Sequence, residues 1–117
     1  MTTPTGIRPD QLPATIREYL AAHLRRDTDA ALRAFTPAAV VVDDGTTYRG
    51  TEEIRGFLSR AGAEFTYTTT LVAAERTDDA HWVATNRLEG DFPGGVVDLR
   101  YRFAMDGDLV AELVIAP

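Results

Sequence analysis

Apolar residues recur at helical spacing through the first half of the chain and at alternating spacing through the second. Leu12, Ile16, Tyr19, Leu20, His23 and Leu24 stand three and four positions apart, while Arg17, Glu18, Arg25 and Arg26 fall mainly outside that stripe. The pattern predicts an amphipathic helix opened by Leu12-Pro13, where proline is tolerated because a first-turn N–H has no helical partner. Asp27-Thr28-Asp29 supplies the N-cap of a second, short helix running through Phe35, with Ala31, Leu32 and Phe35 inward and Pro37 as its stop. The signal then changes. Val40, Val41 and Val42 read as a buried strand that delivers Asp43 to the edge of an apolar interior. Thr51, Glu52 and Glu53 suit the start of a third helix, Thr51 to Ala61, whose stripe is Ile54, Phe57, Leu58 and Ala61 and whose end is Gly62.

From Glu64 onward β-branched and aromatic residues dominate, in segments 65–74, 81–92, 96–105 and 109–115. Asp78-Asp79, Pro93-Gly94-Gly95 and Asp106-Gly107-Asp108 separate them with turn chemistry, so consecutive strands pair antiparallel. Helices followed by a meander predict an α+β domain, its N-terminal helices packed in the concave face of a curved antiparallel sheet. Residues 1–11, rich in Thr, Pro and Gly, are expected to form a flexible arm, and residues 12–117 one domain.

Composition narrows the function classes. A chain of 117 residues suits one domain with a substantial core. Its net charge of −6 and lack of a Lys/Arg cluster argue against a nucleic-acid partner, since phosphate neutralisation needs a concentrated basic patch. With no cysteine, disulfides, thiolate catalysis and Cys-based zinc sites are excluded. No signal-peptide pattern and no apolar run of about 18 residues is visible, so no membrane partner and a cytoplasmic location are expected. His23 and His81 fall on elements of different type without neighbouring acidic ligands, so no metal and no cofactor are expected.

The order helix, short helix, strand ending in Asp, Gly-Thr-x-x-Ile helix and meander is similar to that of the nuclear transport factor 2-like (NTF2-like) superfamily. Phe35-Thr-Pro-Ala-Ala-Val, Tyr48-Arg-Gly, Gly50-Thr-Glu-Glu-Ile54 and Asp106-Gly107-Asp108-Leu109 carry the resemblance, particularly to SnoaL-like bacterial members and ketosteroid isomerase. It covers the chain from Leu12 onward. It implies a cone-shaped fold, a deep hydrophobic pocket and a homodimer whose sheets face each other. In ketosteroid isomerase a tyrosine at the place of Tyr19 donates to an oxyanion, and an aspartate at the place of Asp43 shuttles a proton. The isomerase's second, protonated acid falls at Leu99, so the resemblance reaches half of that oxyanion hole.

The chemistry of these residue types agrees with such a pair. Desolvation at a cavity edge strengthens the basicity of a carboxylate, and a phenol can hydrogen-bond the enolate oxygen that develops. Asp43 is thus the candidate base and Tyr19 the candidate donor. An equally open reading makes Asp43-Asp44-Gly45 a turn and Tyr19 a core residue. His23, Phe57, Tyr67, Trp82, Asn86, Leu99 and Tyr101 are candidate substrate-binding residues, from the faces on which alternation and helical spacing place them. Two functions follow: a cofactor-free acid–base isomerase or polyketide-type cyclase acting on a small apolar carbonyl compound, or a non-catalytic hydrophobic-ligand-binding or dimerisation domain.

Overall fold

The computed structural model describes residues 4–60 and 66–117. In chain order these form β1 (Thr5–Ile7), a 3₁₀ turn (Pro9–Gln11), α1 (Ala14–Leu24), α2 (Thr28–Leu32), β2 (Phe35–Asp43), β3 (Thr46–Arg49), α3 (Gly50–Arg60), β4 (Tyr67–Arg76), β5 (His81–Gly90), β6 (Val96–Asp106) and β7 (Leu109–Ala116). All seven strands belong to one curved, unclosed sheet of order β1-β4-β5-β6-β7-β2-β3. The meander from β4 to β7 is antiparallel as predicted, with register shifts between Leu71 and Ala73 and between Ala104 and Met105. Irregularities of this kind bend strands and deepen a concave face.

The helices cover that face. Ile16 and Tyr19 of α1 and Ile54 of α3 are buried with Val41, Phe103, Val110 and Leu113 of the sheet. Burying an aliphatic or aromatic side chain of this kind contributes roughly 1.5–3 kcal/mol, so this layer is where the fold is held. The buried stripe of α1 is narrower than its spacing predicts: Leu24 is 62% exposed. Asp27 caps α2 as expected, its Oδ1 accepting from the Ala30 N–H at 3.1 Å.

The second helix does not run through Phe35. It ends at Leu32, and Phe35 begins β2, because the Val110 N–H donates to the Ala34 carbonyl at 2.8 Å and Phe35 pairs with Val110. Pro37 therefore lies inside a strand. The register of β2 on β7 shifts between Phe35 and Val40, so a residue without an N–H sits where the ladder is interrupted. Beyond the shift β2 pairs parallel to β7, a neighbour about 70 positions away that local pattern does not reveal.

Strand β3 is also absent from the sequence prediction. Asp43 faces Thr46 across a two-residue turn in which Asp44 (φ 51°) and Gly45 (φ 78°) are both left-handed. Asp-Gly is the dipeptide this mirror-image turn favours, since its backbone matches strand twist. Helix α3 starts at Gly50, where φ is +80°, and Glu53 reaches back to accept from the Arg49 N–H at 2.8 Å. The expected terminator Gly62, with Ala61 and Phe65, lies outside the described residues.

Residues 5–11 are not the loose arm that their composition suggests. Thr5, Gly6 and Ile7 pair antiparallel with Arg76, Glu75 and Ala74, and Ile7 packs on the core. On the outer face Arg87 binds Asp98 through two hydrogen bonds of 2.8 and 3.1 Å, and Arg100 lies 3.7 Å from Glu75. Such exposed pairs contribute little individually.

Candidate functional site

A cavity of about 790 Å³ opens between the end of β2, the β2–β3 turn, α3 and the concave face of the sheet. Strand β2 brings Asp43 to it. Val41, two residues earlier, is fully buried and anchors the strand, so the carboxylate emerges at the boundary of the core. Burial, and secondarily the charge of Asp44, hold the Asp43 carboxyl above its ordinary range. Among the described residues no hydrogen bond or ion pair engages that carboxylate. The turn is formed by backbone conformation at Asp44 and Gly45, and the Asp43 side chain remains available to a ligand.

Aromatic and aliphatic side chains make most of the remaining wall. Phe57 packs against Tyr48 at a centroid distance of 5.0 Å, and Tyr67 meets Phe92 edge-on at 6.5 Å. Leu99 and Tyr101 line the same space from β6, and His23 from α1. His23, Tyr67 and Tyr101 also line an adjoining cavity of about 270 Å³, which contains Asn86. Asn86 is 5% exposed and is the one buried polar side chain among the described residues outside the tyrosines. Its amide donates to the Tyr101 hydroxyl. This bond opposes the larger effects that push the Tyr101 phenol upward: burial first, then the neighbouring Tyr67 and Asp43.

Tyr19 stands behind this wall. It is fully buried, with Phe35 and Phe103 edge-on to its ring at 5.3 and 5.9 Å and His23 stacked on it at 5.8 Å. Burial raises its phenol well above the ordinary value, and the nearby Tyr101 and Asp43 add to the shift. Among the described residues its hydroxyl has no hydrogen-bond partner. The structure therefore gathers Asp43, Tyr19 and Tyr101 within electrostatic reach of one another, with Tyr101 on the cavity surface and Tyr19 sealed beneath it. His23 is held below its ordinary pKa by burial and then by the Arg26 charge, so its ring is neutral near pH 7.

Of the residues named from the sequence, Asp43, His23, Phe57, Tyr67, Leu99 and Tyr101 line the main cavity, and Asn86 lines its neighbour. Trp82 does neither. It pairs with Phe103, carries the Arg76 guanidinium 5.5 Å from its ring centroid, and borders a separate groove with His81 and Arg102. Alternation gave its face correctly but not its distance along the strand from the cavity. Sequence reasoning missed Tyr48, Arg60 and Phe92. Tyr48 belongs to the unforeseen β3, and Phe92 to the turn after β5. Arg60 had a signal: Gly56, one turn before it, is a helix-interior glycine without an evident local reason.

No family model matches the chain, and no curated protein does. Solved structures do. A presumed polyketide cyclase from Sinorhizobium meliloti is 28% identical, superposes with a TM-score of 0.85, and the match covers 94% of this chain and all of that one. A protein of ketosteroid isomerase-like fold from Catenulispora acidiphila, in complex with trimethylamine, is 20% identical with a TM-score of 0.76, over 90% of this chain and 85% of that one. An NTF2-like protein from Cytophaga hutchinsonii reaches 0.69 at 8% identity, over 87% and 85%.

Proposed function

Since the chain has the nuclear transport factor 2-like fold of SnoaL-like proteins, we propose that its cavity binds a small apolar carbonyl compound and moves a proton on it without a cofactor. Asp43 is the base. It takes a proton from the carbon beside the carbonyl, and the C–H electron pair shifts onto the carbonyl oxygen to give an enolate. Tyr101 meets that oxygen from the cavity wall, and the unpartnered Tyr19 hydroxyl behind it is the second donor that the growing charge recruits. Where the substrate carries a β,γ double bond the enolate is a dienolate, and protonated Asp43 returns its proton to the γ carbon as the double bond moves into conjugation, which is isomerisation. In the cyclase variant the enolate carbon attacks a second carbonyl of the same molecule, and the alkoxide formed takes the proton.

The observation that carries this reading is the unengaged, half-buried Asp43 carboxylate opening onto an aromatic cavity beside two buried phenols. A carboxylate committed to the turn, or a cavity filled by Trp82 and Phe57, would have favoured a structural role. Neither arrangement is present among the described residues. The binding-module reading draws on one feature, the sealing of Tyr19 from the cavity surface.

Solvent-deuterium incorporation separates the two. With 1-indanone in D₂O, followed by NMR, the protein is expected to accelerate exchange beside the carbonyl. Asp43→Asn keeps size and removes the titrating group, so the acceleration should fall by about 10² to 10⁴. An Asp43→Asn rate equal to that of the unsubstituted protein would end the proton-transfer proposal. Binding without exchange would leave the ligand-binding module.

A further inference from the structure

Among the described residues, the cavity that holds Asp43 has one positive side chain on its wall, Arg60 in the last turn of α3. Several arginines are matched to acids, among them Arg55, 2.7 Å from Asp29, and Arg87, 2.8 Å from Asp98, whereas Arg33, Arg49 and Arg102 show no such pair among the described residues but do not line this cavity. Arg60 has no such partner among the described residues. Its guanidinium is nevertheless placed, because it folds back along α3 over Gly56. A Cβ at Gly56 would lie 3.1 Å from Arg60 Nη1 and 3.6 Å from Nη2. Gly56 has no left-handed φ to require a glycine, and glycine inside a helix costs roughly 0.5–1 kcal/mol relative to alanine. What the missing side chain provides is a seat for the guanidinium at the cavity wall.

Arginine presents a planar fork of donors that matches a carboxylate. Elsewhere the wall is apolar or carries Asp43 and Asp44, and His23 offers no positive charge near pH 7. An anion in this cavity therefore has one favourable place. We infer that the cavity takes an amphipathic acid, an apolar carbonyl compound bearing a carboxylate, with the carboxylate on Arg60 and the apolar body against Phe57 and Tyr48. This names the substrate class of the pocket proposed above and rests on that reading.

Two probes of one shape test it: 1-naphthaleneacetate and its neutral amide, titrated by calorimetry. The protein is expected to bind the carboxylate roughly tenfold more tightly than the amide, with the preference shrinking as salt rises. Arg60→Gln should abolish the preference by lowering carboxylate affinity to that of the amide. Gly56→Ala should weaken the preference several-fold while raising the melting temperature, an opposition that a purely structural Gly56 does not produce. Equal binding of both probes, or a preference that survives Arg60→Gln, overturns the assignment while leaving the pocket reading in place. Binding of neither probe overturns both.

Discussion

The hydroxyl of Tyr19 is a buried polar atom with no partner among the described residues, and such an atom costs roughly 1–3 kcal/mol in a folded chain. Tyr19→Phe removes that cost and keeps the ring contacts to Phe35, Phe103 and His23, so a higher melting temperature is expected by calorimetry together with slower proton exchange. A rise in stability without a loss of exchange would make Tyr19 a core residue only. His23 titrates against the fold. Its folded pKa lies below the ordinary 6.5 because of burial and Arg26, so on acidification the unfolded chain takes up the proton first. Its contribution is present above about pH 6.5 and lost as pH falls through that value toward the folded pKa. Melting temperature should fall from about pH 7 to about pH 5 more steeply in the unsubstituted protein than in His23→Gln. Asp43 acts in the other direction, since a raised carboxyl keeps its proton longer in the folded state. At this scale, Asp43, Phe57 and Tyr101 were legible because strand alternation and helical stripes say which way a side chain points. Trp82 and Arg60 were not: how far along a strand a cavity extends, and where a long side chain folds, depend on neighbours distant in sequence.

Among the elements, α1, α3 and the strands of the meander followed from periodicity because each is ten or more residues long except β7. Strands β1 and β3 have three and four residues, too few for alternation to show. The C-terminal limit of α2 failed for a different reason: Pro37 marks an interruption in a strand as readily as the end of a helix. The close of β5 offers a sharp test. A Cβ on Gly90 would lie 2.3 Å from the Thr66 carbonyl oxygen and 2.5 Å from Tyr67 Cβ, which backbone cannot accommodate without moving. Gly90→Ala should destabilise the protein by about 1–3 kcal/mol in denaturant titration, by overpacking at the start of β4. Asp27→Ala, which removes the α2 cap, is expected to cost about 1 kcal/mol.

For the whole molecule, the outer face of the sheet carries Arg87, Asp98, Arg100 and Glu75 in cross-strand pairs, beside exposed Val72 and Val96. A homodimer through this face, as the SnoaL-like resemblance implies, remains our proposal, and sedimentation at micromolar concentration showing monomer alone would remove it. No described helix is long and apolar enough to cross a membrane. The parallel pairing of β2 with β7 also sets an order of events during synthesis. Residues 35–43 are made early, yet the strand that completes their ladder is residues 109–116. Until that strand has been translated, Val41 lacks its partner Leu113 and Asp43 lacks Ile115, so β2 is held only by the four-residue β3 and is not yet joined to the meander that carries Tyr101. A chain stopped at Asp108 should therefore remain uncooperative in thermal melts and bind neither naphthalene probe, although it contains Asp43, Tyr19, Tyr101 and Arg60.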